Sequence, residues 1–321
     1  MYRKFVSLVS FLVGLCSMVY AIEPRVYVAK YKGDKACAIS YTFDDGLAEH
    51  YTLVAPQLEC CGFRGTFFIN GSKINEDTAH RRDTTRMTWG ELKEMAQRGH
   101  EISNHGWAHR NLAKFPLEVI KEDIRRNDSV IYARVGVMPR TYAYPNNTKE
   151  GEEAMAFAAQ GRVGTRLEQR SVGSKRSARD LENWMNTLIR TGDWGVGMTH
   201  GLTYGFDAFR DPQRLWEHWD RVKANEDKIW VGTFREVISY IKEREAIRLV
   251  VKEKKHKLYV LPQLELDKEL FVEPLTLVVT VAEGQKVTAK QDGKKLSVHQ
   301  QVGKAVFDFD PFGGRILVTI R

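Results

Sequence analysis

The sequence predicts an α/β barrel or a layered parallel sheet, followed by a small all-β domain. Short apolar runs typical of buried strands alternate with amphipathic helical segments up to about residue 246. From residue 247 onward the pattern changes to short alternating runs, some separated by turn signals such as Asp292-Gly293 and Gly313-Gly314. Polar side chains suited to chemistry stand directly after several predicted strands, which is where α/β folds build their sites.

Three predicted strands carry such side chains at their ends. The strand over residues 36–43 runs into Asp44-Asp45-Gly46, and the strand over residues 101–103 leads into the segment from His105 to His109. A strand over residues 196–199 ends at His200. Further strands are predicted over residues 65–70, 141–145 and 163–165, and helices over residues 50–61, 88–98, 116–136 and 181–191. Thr88 is the predicted N-cap of its helix because Glu91 follows three residues later.

The first 21 residues predict a secretory signal that is removed on export. Two basic residues precede an apolar run over residues 5–19, and Ala21 supplies a small residue at the cleavage point. A membrane anchor and a lipid-modified Cys16 are the alternatives, although the run is short for a span of about 20 residues. We therefore expect an exported protein, periplasmic, cell-surface or secreted, with no stable membrane span after cleavage.

Composition excludes an intrinsically disordered chain, since 43% of the 321 residues are hydrophobic and 11% are aromatic. The formal net charge is +8, to which the signal contributes two positive charges. This moderate balance favours anionic surfaces or glycans, and we expect no nucleic-acid partner. Beyond the signal the cysteines are Cys37, Cys60 and Cys61. We expect either one disulfide, from Cys37 to Cys60 or to Cys61, or buried free thiols.

Asp45, His105 and His109 form a candidate three-ligand metal site. The two histidines are four residues apart, so both lie on one face if the segment turns helically. Catalytic Zn²⁺ commonly takes three protein ligands and keeps a position open for water. Asp44 and His200 complete the set, because hydrolysis needs a base for that water and an acid for the leaving group. A tight Asp-Gly turn and ordinary polar histidines are the alternatives for each segment alone.

These segments resemble the NodB-type polysaccharide deacetylases of carbohydrate esterase family four, whose first two motifs are TFDDG and H-[ST]-x-x-H. The resemblance covers residues 36–247 and implies a distorted (β/α) barrel of NodB type. It further implies Asp44 as the base, Asp45, His105 and His109 as ligands of a divalent metal, and His200 as the acid. The expected metal is Zn²⁺, with Co²⁺ or Ni²⁺ as alternatives. We predict a deacetylase domain over residues 22–246 and a sandwich-like β domain of auxiliary role over residues 247–321.

The chain departs from the family pattern on the side of the base. Gly106 stands where the second motif has Ser or Thr, and the third motif, Arg-x-Pro-Tyr, appears as Ala143-Tyr144-Pro145-Asn146. The arginine that partners the base in that motif is therefore absent. We predict that Arg166 fills the vacated space from a neighbouring strand end, with Arg140 as the second choice.

Three further residues are candidate substrate contacts. The backbone N–H near Asn146 would stabilise the oxyanion, and Trp194 and Met198 would line an acetyl pocket, although Trp194 could equally belong to the core. The expected substrate is an N- or O-acetylated polysaccharide or oligosaccharide. A hydrolase of non-sugar amides and an inactive glycan-binding protein of the same fold are the alternatives.

Overall fold

The structure is a computed structural model that describes residues 25–321. Eight parallel strands form the first part of the protein. The predicted signal at residues 1–21 lies outside the described residues. A short strand, β1 (Val26–Val28), comes first along the chain. The eight barrel strands are β2 (Cys37–Asp44), β3 (Thr66–Ile69), β4 (Glu101–Asn104), β5 (Thr141–Ala143), β6 (Gly164–Arg166), β7 (Arg170–Ser171), β8 (Trp194–Thr199) and β9 (Ile229–Val231).

The curled sheet has the order β6-β5-β4-β3-β2-β8-β7, and β9 pairs with the start of β2. Every residue of β2 is buried, as expected for a parallel strand covered on both faces. This architecture confirms the predicted α/β barrel class. Because all these strands run parallel, their carboxyl ends lie at one mouth of the barrel.

Seven α-helices within residues 25–321 accompany the sheet. They are α1 (Ala55–Cys60), α2 (Trp89–Gln97), α3 (Leu117–Val135), α4 (Glu152–Ala159), α5 (Ala178–Thr191), α6 (Gln213–Lys223) and α7 (Phe234–Ala246). The helix predicted over residues 50–61 consists of a π-helical turn, His50–Val54, that continues into α1. Thr88 caps α2 as predicted: its hydroxyl accepts from the N–H of Glu91, whose carboxylate accepts from the N–H of Thr88. Among residues 25–321, none of the helices combines the length and apolar character that crossing a bilayer requires.

The remaining strands build an antiparallel β sandwich, in agreement with the predicted all-β region. They are β10 (Arg248–Lys254), β11 (Lys257–Gln263), β12 (Leu275–Thr280), β13 (Val287–Gln291), β14 (Lys294–Lys295), β15 (His299–Gln301), β16 (Lys304–Phe309) and β17 (Ile316–Ile320). One sheet has the order β1-β12-β16-β15 and the other β10-β11-β17-β13-β14. Leu277, Phe307 and Val318 are among the side chains buried between them.

The structure differs from the predicted domain boundary at the start of the chain. β1 falls within the predicted deacetylase domain, yet Val26 pairs with Val279 and Val28 with Leu277 in the sandwich. In addition, the Tyr240 hydroxyl of α7 donates to the Ala29 carbonyl at 2.9 Å, and its ring packs in the sandwich core. This pairing joins residues about 250 positions apart, so no local sequence pattern reveals it. α7 ends at Ala246 and β10 begins at Arg248.

The three cysteines of the described residues are free thiols. Cys37 and Cys61 are buried and Cys60 is exposed. Burial raises the pKa of the Cys37 thiol to about 11 and also raises the pKa of Cys61. Both buried cysteines are therefore protonated packing residues rather than reactive thiolates.

Candidate metal and hydrolytic site

The sheet brings the predicted chemical residues to one mouth of the barrel. Asp44 ends β2 beside Phe68 of β3, and Thr199 of β8 pairs with Phe43 of β2, so His200 follows directly at the same level. β4 ends at Asn104, immediately before the first histidine of the pair. The placement follows from topology, because neighbouring parallel strands end at one edge.

Asp45, His105 and His109 converge with geometry suited to a cation. The Asp45 Oδ1 atom lies 3.8 Å from Nε2 of His105 and 3.8 Å from Nε2 of His109. One ligand atom from each residue falls within 4.8 Å of the other two. Asp45 Oδ1 is buried and has no hydrogen-bond partner within residues 25–321. A buried carboxylate oxygen without a donor is costly, so these residues fit a divalent metal.

The Ala143 carbonyl orients the ring of His105. Its Nδ1 donates to the Ala143 carbonyl at 2.8 Å, which leaves Nε2 with its lone pair directed toward Asp45. Burial lowers the pKa of His105, against the raising effect of Asp44 and Asp45. A neutral imidazole is the form that binds a metal.

A tight loop, rather than the helical turn on which the spacing argument relied, brings His105 and His109 together. The backbone of Gly106 has φ +77°, and its N–H donates to Oδ1 of Asn104 at 2.7 Å. A Cβ at this position would lie 2.7 Å from Oδ2 of Asp123. Glycine at position 106 therefore suits both the left-handed backbone and the packing. The two imidazole rings end with their centroids 4.9 Å apart.

Arg166 lies against Asp44, where the sequence analysis places an arginine. The side chains of both residues are buried, and two guanidinium nitrogens donate to the two carboxylate oxygens, at 2.8 Å to Oδ1 and 2.5 Å to Oδ2. The same Nη1 donates to the Thr42 hydroxyl at 2.8 Å, and the guanidinium lies 4.8 Å from the Phe68 ring centroid. This bidentate pair fixes the carboxylate in orientation as well as in charge.

The pair determines the charge of Asp44. Burial alone would raise the pKa of the Asp44 carboxyl, but the Arg166 guanidinium, with a smaller effect of His105, holds it well below its usual range. Asp44 Oδ2 lies 3.8 Å from Nε2 of His105. An ionised, nearly inaccessible carboxylate therefore stands beside the candidate metal ligands.

Two buried residues that sequence reasoning missed hold the segment after β8. The Glu49 carboxylate accepts from the N–H groups of Leu202 and Thr203 and from the Thr203 hydroxyl. Nε2 of His50 donates to the His200 carbonyl at 2.7 Å. Burial lowers the pKa of His50 to about 4, so this imidazole is a neutral donor. The signal was two polar residues at the start of an otherwise apolar helical pattern.

The remaining candidate residues divide between the mouth and the interior. Asn146 is exposed in the turn after β5, with φ +59°, and Met198 is paired with Thr42 near the mouth. Trp194, in contrast, begins β8 at the far end from His200. Its indole N–H donates to the Ser40 hydroxyl at 3.1 Å and its ring packs against Phe234. Trp194 is therefore a half-buried packing residue at the opposite end of β8 from His200, a position that does not suit the predicted acetyl-pocket role.

Comparison with known proteins agrees with this arrangement. Residues 31–160 match the family model described as Polysaccharide deacetylase. This part of the chain resembles the polysaccharide deacetylases. The domain is similar to the peptidoglycan-N-acetylglucosamine deacetylase PgdA of Listeria monocytogenes, with 27% identity over 119 residues, 37% of this chain and 23% of that protein. It is also similar to a chitin deacetylase of Pestalotiopsis, with 27% identity over 114 residues, 34% of this chain and 35% of that protein.

The fold of the deacetylase domain has a counterpart among solved structures. A putative polysaccharide deacetylase from Mycobacterium smegmatis aligns over 68% of this chain and 94% of its own, with a TM-score of 0.53 and 16% sequence identity. At this identity the likeness concerns the fold. The chain spans about a quarter to a third of the length of the two curated relatives named above.

Proposed function

We propose that the protein is a metal-dependent hydrolase that removes acetyl groups from an N- or O-acetylated glycan. The observation that carries this proposal is the buried Asp44–Arg166 pair beside the cluster of Asp45, His105 and His109. An ionised carboxylate next to a three-ligand site is the combination that hydrolysis of an acetyl group needs. The match of residues 31–160 to the polysaccharide deacetylase model supports acetylated glycans as the substrate class.

Asp45, His105 and His109 would hold the metal through one oxygen and two nitrogens, a donor set that suits Zn²⁺, Co²⁺ or Ni²⁺. A divalent cation bound there supplies Lewis acidity toward the acyl oxygen and lowers the pKa of water. The protein contributes the orientation of the ligands: the Ala143 carbonyl fixes the ring of His105, and the Phe68 carbonyl accepts from the N–H of Asp45.

Asp44 is the proposed general base. Its Oδ2 takes the proton of the attacking water, while Arg166 keeps the carboxylate ionised and prevents its rotation. Thr42 completes the alignment because its hydroxyl accepts from the same guanidinium. The arginine reaches this position from β6, so the missing arginine of the third motif does not leave the base unpartnered.

His200 is the proposed general acid, donating a proton to the departing nitrogen or oxygen of the sugar. His50 and Glu49 hold the backbone at and after His200. The backbone N–H of Asn146 is the proposed donor to the developing oxyanion, and Met198 the proposed apolar contact for the acetyl methyl group. We infer export from the predicted signal at residues 1–21.

Acetate release from a panel of acetylated glycans tests this function. The panel should include chitopentaose, acetylated xylan and acetylated pectin, each with the protein as purified and with the Asp44→Asn variant as the matched control. We expect acetate from at least one glycan with the wild type and a loss on the order of 10²–10⁴-fold with the variant.

Two results would overturn the proposal. Acetate release only from small non-sugar amides would favour an amidohydrolase. Binding of a glycan without acetate release, in protein that holds one equivalent of Zn²⁺, would favour an inactive glycan-binding protein.

A further inference from the structure

The segment over residues 200–210 forms a loop anchored at two separate points. Near its start, the buried Glu49 carboxylate accepts from Leu202 and Thr203, as described above. Near its end, the Asp207 carboxylate accepts from the hydroxyls of Ser171 and Ser174 at 2.7 and 3.2 Å. The N–H of Ser174 also donates to the Asp207 carbonyl at 3.0 Å. The loop is therefore held by Glu49, in the segment after β2, near its start and by Ser171 and Ser174, at and after the end of β7, near its end.

Between these anchors the loop presents one exposed aromatic ring. Phe206 is 67% exposed, although the carboxylate of the next residue, Asp207, accepts a hydrogen bond from Ser171. Its ring meets the His200 imidazole edge to face, with centroids 5.1 Å apart and an interplanar angle of 88°. The ring therefore borders the proposed general acid while most of its surface faces solvent.

A cation flanks this ring. Nζ of Lys175 lies 5.6 Å from the Phe206 ring centroid. Nη1 of Arg214 donates to the carbonyls of Ser174 and Arg176, on either side of Lys175, and adds a second positive charge. The carboxylate next to the ring, Asp207, points toward Ser171 and Ser174 instead.

The fit between the two segments is close. A Cβ at Gly173 would lie 2.2 Å from Oδ2 of Asp207, so a glycine is needed for the segment after β7 to reach the loop. This contact fixes the backbone that carries Lys175 relative to the backbone that carries Phe206. The fold therefore places the two side chains next to each other.

We propose that Phe206 and Lys175 form a sugar-binding subsite that selects an anionic glycan, an inference that rests on the proposed deacetylase function. A pyranose ring has an apolar C–H face that packs on an aromatic ring, and polar groups at its edge. The sugar that stacks on Phe206 directs its acetyl group toward His200 and the metal ligands. A carboxylate on the same or the neighbouring sugar pairs with Lys175, at a site where Arg214 reinforces the positive potential.

Substitution of Phe206 tests the stacking contact. In the metal-loaded full chain we expect Phe206→Ala to raise KM for partially acetylated polygalacturonate about tenfold, with a smaller change in kcat. Phe206→Trp should restore KM toward the wild-type value, because an indole offers the same kind of face. Tyr132→Ala is the matched control, since Tyr132 is 56% exposed on the outer face of α3 and should leave KM unchanged.

Substitution of Lys175 tests the charge selectivity. We expect Lys175→Gln to lower kcat/KM on acetylated polygalacturonate by about three- to tenfold and to leave acetylated xylan unaffected, with Lys175→Arg restoring the preference. Added salt should weaken the preference of the wild type but not that of Lys175→Gln.

The outcomes separate this inference from the proposed function. If the wild type releases acetate but Phe206→Ala retains the wild-type KM and Lys175→Gln retains the wild-type preference, the subsite is refuted and the deacetylase stands. If the wild type releases no acetate, the dissociation constant for unacetylated polygalacturonate decides instead. A larger dissociation constant for Phe206→Ala and for Lys175→Gln than for the wild type, with that of Tyr132→Ala unchanged, supports the subsite. Equal dissociation constants in all four proteins refute it.

Discussion

The barrel mouth and the seam between barrel and sandwich each bury a carboxylate, and they treat it in opposite ways. At the mouth, Asp44 accepts two bonds from Arg166, and its pKa lies well below the usual range. At the seam, the Glu243 side chain of α7 is fully buried, and one oxygen accepts from the N–H of Glu273 at 3.0 Å. Its other oxygen has no hydrogen-bond partner among the described residues.

The difference follows from the neighbouring cation. Burial raises the pKa of Glu243 to about 7, and it raises the pKa of Glu273 to about 7 as well. The groups that act on Glu273 are Glu236 and Glu101, which raise its pKa, and Lys32 and Arg235, which lower it. None of them pairs with a buried carboxylate at the seam as Arg166 does at the mouth. The comparison indicates that a bidentate guanidinium determines which of these buried carboxylates is ionised at neutral pH.

The largest expected effect is that of removing the charge at the mouth. Asp44→Asn keeps the shape of the side chain, but its amide nitrogen cannot accept from Arg166 and the side chain cannot take a proton from water. We expect kcat to fall on the order of 10²–10⁴-fold while the protein still binds one metal ion, measured by acetate release and by metal analysis after dialysis. Turnover close to that of the wild type would show that Asp44 is not the base.

Breaking the pair from the other side should affect stability. Arg166→Met leaves a buried carboxylate without its partner, and we expect a loss of about 3–5 kcal/mol in the free energy of unfolding. The double variant Asp44→Asn/Arg166→Met should be destabilised by less than the sum of the two single changes, as measured by urea unfolding. Strict additivity would mean that the two side chains do not interact.

The seam should make stability depend on pH. The pKa of Glu243 in the folded protein, about 7, exceeds the ordinary value of 4.5, so the folded state favours the protonated form. The contribution of Glu243 to the free energy of unfolding is fully present below its ordinary pKa and is lost as pH rises through about 7. We expect the Tm to fall by about 2–5 °C between about pH 5 and about pH 8, and Glu243→Gln to flatten this decline. An unchanged slope in the variant would assign the decline to other groups.

The smallest expected effect concerns the interior end of β8. Trp194→Phe removes the hydrogen bond to Ser40 and should cost about 1 kcal/mol of stability. Because Trp194 lies at the far end of β8 from His200, kcat/KM on the best glycan should stay within about twofold of the wild type. A large rise in KM in a variant of normal Tm would return Trp194 to the substrate site.

The sequence was sufficient to predict where these polar residues lie, because parallel strands end at one edge and each residue stands at the end of such a strand or close after it. Asp44, His105 and His200 meet for that reason. The same logic led to Arg166, since the short run at residues 163–165 predicted a neighbouring strand and the structure has one over Gly164–Arg166. Topology and strand polarity were enough in these cases.

Other features depend on contacts that no local pattern encodes. The pairing of β1 with β12 joins distant segments, and the role of Glu49 appears only when the segment after β8 folds back onto it. The spacing of His105 and His109 places them on one face if the segment turns helically, whereas the structure has a loop there with a left-handed backbone at Gly106. The residue that a side chain at position 106 would meet, Asp123, lies on another element.

Chelation followed by reconstitution tests the central claim most directly. Acetate release from the best glycan should be measured for the wild type and for His105→Ala, after exhaustive dialysis against a chelator and after return of one equivalent of Zn²⁺. We predict that the wild type loses activity on chelation and regains it with Zn²⁺, while His105→Ala neither retains metal nor recovers activity. Full activity in wild-type protein shown by metal analysis to be metal-free would contradict the account.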